Sequence, residues 1–155
     1  MLRTKEQTAV SFITESNYIE GITIPPTDSD IRMFLEFMEL PRVTTQDMVA
    51  FVKQFEPSAY LRDSGWINSV QVGSWVAPSS GPMIRHTLDN ILHMATPSNA
   101  FFTHVLYEEL HPFTDCNGRS GRMLWAHQMG YARLKLGFLH KFYHQSLHNF
   151  QRRNK

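Results

Sequence analysis

The sequence predicts an all-α bundle of about seven or eight helices with one short β-hairpin inserted. Three observations lead there. Apolar residues recur at i, i+3, i+4 and i+7 along most of the chain, the spacing of one helical face. Helix start and stop signals divide that pattern into short segments. Only residues 66–77, WINSVQVGSWVA, alternate with a period of two. With 155 residues, 42% of them hydrophobic, the chain fits one domain, 1–155, with a substantial core.

Residues 4–20 form the first predicted helix, with Val10, Ile13 and Asn17 on one stripe and Gly21 as its stop. The prolines of ITIPPT end that run. Thr27 and Asp30 make a capping box, with Asp in place of the usual Glu, before Ile31, Phe34, Leu35 and Met38. Thr44 opens a third helix carrying Met48, Phe51, Val52 and Phe55. In the hairpin, Trp66, Val70, Val72 and Val76 share a face and Gly73-Ser74 turns the chain. A hairpin this short must lean on the helices. Ile84, Leu88, Ile91, Leu92 and Ala95 mark the next helix. Thr96-Pro97 is an N-cap with proline at N1, followed by Phe101, Phe102, Val105 and Leu106. That helix must stop near His111, because Pro112 follows. MLWAHQMGYARLKL is apolar on several faces and predicts a central helix, with Trp125 and Met129 in the core. Leu139, Phe142, Tyr143, Ser146, Leu147 and Phe150 predict a last amphipathic helix. Its His140, His144 and His148 read as a solvated face rather than a metal site.

Bulk properties narrow the function classes. A net charge of +1 points to neither nucleic acid nor an anionic membrane as the main partner. A single cysteine excludes an internal disulfide and suits a reducing, cytoplasmic setting. The opening MLRTKEQTAV has no apolar run of the signal-peptide kind, and no stretch is long enough to predict a membrane span.

The chemically informative stretch is HPFTDCNGRSGR, residues 111–122. One helix ends at His111 and another starts near Asn117 or Gly118. A helix N-terminus presents free N–H groups and the positive dipole end, and an Asn-Gly turn can add to such an anion-binding nest. Arg119 and Arg122, three apart, are predicted to share one face. Guanidinium groups at that end are unfavourable for the dipole and suit phosphate oxygens. Asp115 is a hard oxygen ligand suited to Mg²⁺ beside phosphates. His111 is placed as a general base. Phe113 is predicted to anchor the loop.

This segment resembles the Fic signature, H-P-F-x-[DE]-G-N-G-R-x-x-R, with Cys116 where a small glycine or alanine is usual. The likeness extends over about residues 10–150 and implies a Fic-like helical bundle whose hairpin is the family's flap. It implies transfer of AMP from ATP to a Ser, Thr or Tyr hydroxyl of a target protein. By the same resemblance His111 is the catalytic base and Asp115 holds Mg²⁺. Asn117, Gly118, Arg119, Gly121 and Arg122 bind ATP phosphates, with Arg122 on the γ-phosphate. Val70, Gln71, Val72 and Gly73 dock the target by main-chain pairing. Self-modification and homo-oligomerisation are further partner expectations from the family.

Residues 16–21, SNYIEG, match a second family motif, [ST]-x-x-x-E-[GN], whose glutamate pairs with the last arginine of the signature and blocks productive ATP binding. Ser16, Glu20 and Gly21 are thereby the inhibitory residues. Glu20 also stands out on physical grounds, because a carboxylate at a helix C-terminus faces the negative dipole end and calls for a cation from elsewhere. The N-G-R of residues 117–119 departs from the N-K-R of kinase-like relatives. Removal of AMP, transfer of UMP or phosphocholine, and a weakly active nucleotide-binding regulatory module are the alternatives.

Overall fold

Thr4, Thr27 and Thr44 each start a helix by the same device. The threonine hydroxyl accepts the N–H of the residue three on, whose side chain (Gln7, Asp30 or Asp47) accepts the threonine N–H in return. The computed structural model describes residues 3–65, 71–72, 75–134 and 136. In order these are α1 (Lys5–Ile19), α2 (Asp28–Met38), α3 (Thr45–Phe55), β1 (Gln71–Val72), β2 (Trp75–Val76), α4 (Pro82–Met94), a 3-10 turn (Pro97–Asn99), α5 (Ala100–Leu110) and α6 (Asn117–Arg133). The described chain is thus mostly helical, as predicted. None of its helices is long and apolar enough to cross a membrane.

β1 and β2 pair antiparallel, Gln71 opposite Val76 and Val72 opposite Trp75. Trp66, Val70 and the Gly73-Ser74 turn lie outside the described residues, as does the whole of the predicted last helix with its three histidines.

α5 and α6 pack side by side at the centre, and α1, α2 and α3 close over α6. Phe12, Phe34, Phe37, Met48, Leu88, Tyr107, Phe113 and Met123 form the heart of the core. Two predicted stripes are corrected. On α1 Val10 is exposed, and the buried stripe is Thr8, Ala9, Phe12, Ile13, Ser16 and Asn17. On α5 Phe101 and Phe102 are exposed, whereas Thr103, His104, Val105, Tyr107 and Leu110 face inward. The physical reason is the same in both. The inward polar groups find partners on α6: Arg122 meets Ser16, the Gly121 carbonyl meets His104, and Ser120 meets Tyr107. Trp125 and Met129 are half-buried rather than core.

α1 ends as a Schellman motif. Gly21 has φ +76°, its N–H bonds to Tyr18 O, and the Ile22 N–H reaches back to Asn17 O. This fixes Glu20 as the C-cap.

A candidate phosphate site at the start of α6

The turn between α5 and α6 is braced from two sides. Residues 60–62 run antiparallel to 112–114, through a Leu61–Phe113 bridge and the bonds Arg62 N–H to Pro112 O and Thr114 N–H to Tyr60 O. From the other side the Asn117 amide holds both backbone groups of Phe113, accepting its N–H at 2.9 Å and donating to its carbonyl at 2.8 Å. Phe113 is fully buried and anchors the loop as predicted. The Asn117 side chain therefore shapes the loop.

His111 closes α5 in the left-handed region, φ 51° and ψ 61°. Few non-glycine residues sit there, at a cost of about 1 kcal/mol or more. Its ring is half-buried, and Nδ1 makes no hydrogen bond among the described residues. Burial, helped by the nearby Arg62 charge and partly offset by Asp115, pushes its pKa down to about 4. The imidazole is neutral at pH 7, the state a base needs.

The arginine expected to hold an anion holds one supplied by the protein. Arg122 is almost wholly buried. Its Nε donates to Ser16 Oγ at 2.8 Å, and Nη2 donates to Ser16 O at 3.0 Å and to Glu20 Oε1 at 2.7 Å. Ser16 and Glu20 thus grip one guanidinium from successive turns of α1. Glu20 also lies over the first turn of α6. A Cβ on Gly118 would come to 2.5 Å of Glu20 Oε1 and 3.0 Å of Arg122 Nη1. A side chain at 118 would crowd both, so the absence of one permits the close approach. The carboxylate at the unfavourable end of α1 is at the favourable end of α6.

Arg119 and Arg122 point to different neighbours, which revises the expectation of one shared face. Arg119 reaches the end of α3, donating to Phe55 O at 3.4 Å and to Glu56 Oε2 at 3.3 Å, both long bonds. Its Nε is buried without a partner among the described residues. Gly121 faces α5: an added Cβ would meet Glu108 Oε1 at 2.5 Å and Tyr107 Cδ1 at 3.0 Å. Its role here is close helix packing. Cys116 precedes α6 at φ 70°, and burial first of all pushes its thiol up to about 12, an inert form. Asp115 is exposed, and its Oδ1 accepts the Cys116 N–H at 2.7 Å. One solvent-facing carboxylate fits Mg²⁺ only together with substrate phosphates, the usual way that ion is held. No group of three or more metal-ligating side chains occurs among the described residues. Of the predicted docking residues, Gln71 and Val72 form β1, while Val70 and Gly73 lie outside the described residues.

Sequence reasoning missed two charged residues. Arg62 stands in no motif and gave no local signal. Glu56 did give one: it is the C-cap of α3, an acid at a helix C-terminus like Glu20. The chain matches no family model, and no curated protein matches it.

Proposed function

We propose that this protein is a Fic-type adenylyltransferase, moving AMP from ATP to a Ser, Thr or Tyr hydroxyl of a target protein and held inactive by Glu20. The observation that carries this reading is the Glu20–Arg122 ion pair. It joins, at 2.7 Å and across 102 positions, two motifs matched separately in the sequence.

On this reading the neutral His111 imidazole takes the proton of the target hydroxyl. The hydroxyl oxygen forms a bond to the α-phosphorus, and the bond to the bridging oxygen of pyrophosphate breaks on the opposite side. The anionic phosphates raise the affinity of the ring for the proton by Coulomb attraction. The first-turn N–H groups around Gly118 and the guanidinium groups of Arg119 and Arg122 stabilise the phosphate charge. Asp115 would hold Mg²⁺, which supplies Lewis-acid neutralisation of the phosphate oxygens. The β1–β2 segment is the proposed flap, pairing with an extended target strand. A bound γ-phosphate and the Glu20 carboxylate compete for Arg122.

The test is incubation of a cell lysate with the Glu20→Gly protein and ATP labelled at the α- or the γ-phosphorus, with His111→Ala as control. Protein labelling from α-labelled ATP that needs His111 is the expected result. Labelling from γ-labelled ATP identifies a kinase. ATP binding without labelling identifies a regulatory module, and either outcome refutes the proposal.

A further inference from the structure

We propose that Arg62 is a positioning residue that couples the exit of the β1–β2 pair to the turn presenting His111. The inference rests on the reading of His111 as the base. Arg62 is wholly buried, and among the described residues none of its acceptors is a carboxylate. Its fork has two sides. Nε donates to His111 O at 2.7 Å and Nη2 to Leu110 O at 2.8 Å. Nη1 donates to Pro78 O at 2.9 Å and to Ser80 Oγ at 3.0 Å. The Arg62 backbone repeats the link, with its N–H on Pro112 O and its carbonyl accepting the Gly81 N–H. Residues 77–81 connect β2 to α4.

The acceptors explain why a buried cation is retained here. The last turn of α5 contains no basic residue, so no local cation faces its final carbonyls. Arg62 supplies two donors and a positive charge at the negative dipole end. It also holds the carbonyl of His111, one of two non-glycine residues in the turn, with Cys116, that adopt a left-handed backbone. The planar fork has a donor for each side at a fixed angle, whereas an ammonium has no such geometry. Displacement at residues 78–80, such as strand pairing at β2 would produce, is therefore transmitted through one rigid group to the backbone of His111. A target segment seated on the pair would align the base by this route.

The experiment uses the full chain with Arg62→Lys, which keeps the charge and loses the fork, and Arg62→Gln as the neutral variant. The first readout needs no activity. In protein with isotopically labelled histidine, Val76→Gly is introduced to perturb the exposed end of β2, and the His111 ring resonance is followed. The resonance is expected to move with Arg62 present and to stay still with Arg62→Lys. Movement in both backgrounds, or in neither, overturns the proposal. The second readout is labelling from α-labelled ATP in a lysate by the Glu20→Gly protein. Arg62→Lys is expected to lower the rate about 10–100-fold while ATP affinity stays within about twofold. An unchanged rate, or a loss explained wholly by ATP affinity, also overturns it. If the Glu20→Gly protein labels nothing, the enzymatic reading fails and the resonance experiment still decides the coupling. Should Arg62→Gln fail to fold, Arg62→Lys carries both arms.

Discussion

Replacing Glu20 by Gln removes the charge and keeps the shape, so it isolates the lock on Arg122. The magnitude follows from burial. The Arg122 side chain is 1% exposed and that of Glu20 38%, at 2.7 Å. Exposed pairs contribute about 0–1 kcal/mol, and breaking a buried pair costs about 3–5 kcal/mol. One member here is partly in water, and Arg122 keeps both Ser16 bonds after the substitution. The lock is then worth about 1–2 kcal/mol, between those limits. An anion that binds Arg122 must displace the carboxylate, so that energy is subtracted from its binding. Glu20→Gln is expected to tighten ATP about 5–30-fold, at about 1.4 kcal/mol per tenfold. Titration calorimetry with ATP and Mg²⁺ at low ionic strength measures it, with circular dichroism to verify folding. A folded Glu20→Gln protein whose affinity lies within about twofold of the parent would refute the reasoning.

Asn117→Ala leaves both backbone groups of Phe113 without partners in a buried loop. It should cost about 2–4 kcal/mol, a fall in Tm of roughly 5–15 °C, read by calorimetric melting. Gly121→Ala tests the helix-packing role. The Cβ meets Tyr107 Cδ1 at 3.0 Å, and overpacking partly offset by better helix propensity should destabilise by about 1–2 kcal/mol. Urea unfolding reads that cost, and an unchanged stability with weakened ATP binding would restore the phosphate role. His104 should contribute to acid sensitivity alongside His111, because burial pushes each down to about 4. Unfolded, the His104 ring takes its proton near pH 6.5, so its contribution is complete above that value and is lost as pH falls from 6.5 towards 4. The loss from His104 between pH 7 and 4.5 should be about 2–3 kcal/mol, seen as a smaller urea midpoint shift in His104→Gln than in the parent.

The sequence discloses most of the scaffold because its signals are local. Thr27 with Asp30, Thr44 and Gly21 start or end helices through bonds within a few residues, and Pro112 stops α5 by its local steric effect on His111. The Ser16–Glu20 grip on Arg122 was legible for a different reason, since the resemblance supplied both ends of a long-range contact. What stayed hidden depends on tertiary partners. Val10 and Phe102 are apolar and face outward, while Thr103 and His104 are polar and face inward; periodicity ranks side chains by type and not by the partner waiting for them. Arg119 and Arg122 are neighbours on a helical wheel, but each has a long side chain that reaches its own carboxylate on a different helix. Arg62 lies 48 positions from the carbonyl of Leu110 that it serves, and nothing near it in sequence reveals that.

The misplaced carboxylate is one of a set. Glu20, Glu39 and Glu56 are the C-caps of α1, α2 and α3, each at the negative end of its own helix. Each is paired with a cation far along the chain: Arg122, Lys5 and Arg119. The three pairs are not equal. Lys5 and Glu39 are both largely exposed, so that pair contributes little. The other two end on buried arginines in the first two turns of α6, where a cation is as unfavourable for the dipole as an acid is at a C-terminus. Two unfavourable placements thus cancel in pairs, and both cancellations converge on the candidate phosphate site. An incoming polyanion that takes Arg119 as well as Arg122 leaves two carboxylates facing helix C-termini with no cation. Its affinity is set by how far its phosphates outcompete both, with Glu20 the tighter of the two because its bond is shorter and its arginine more deeply buried.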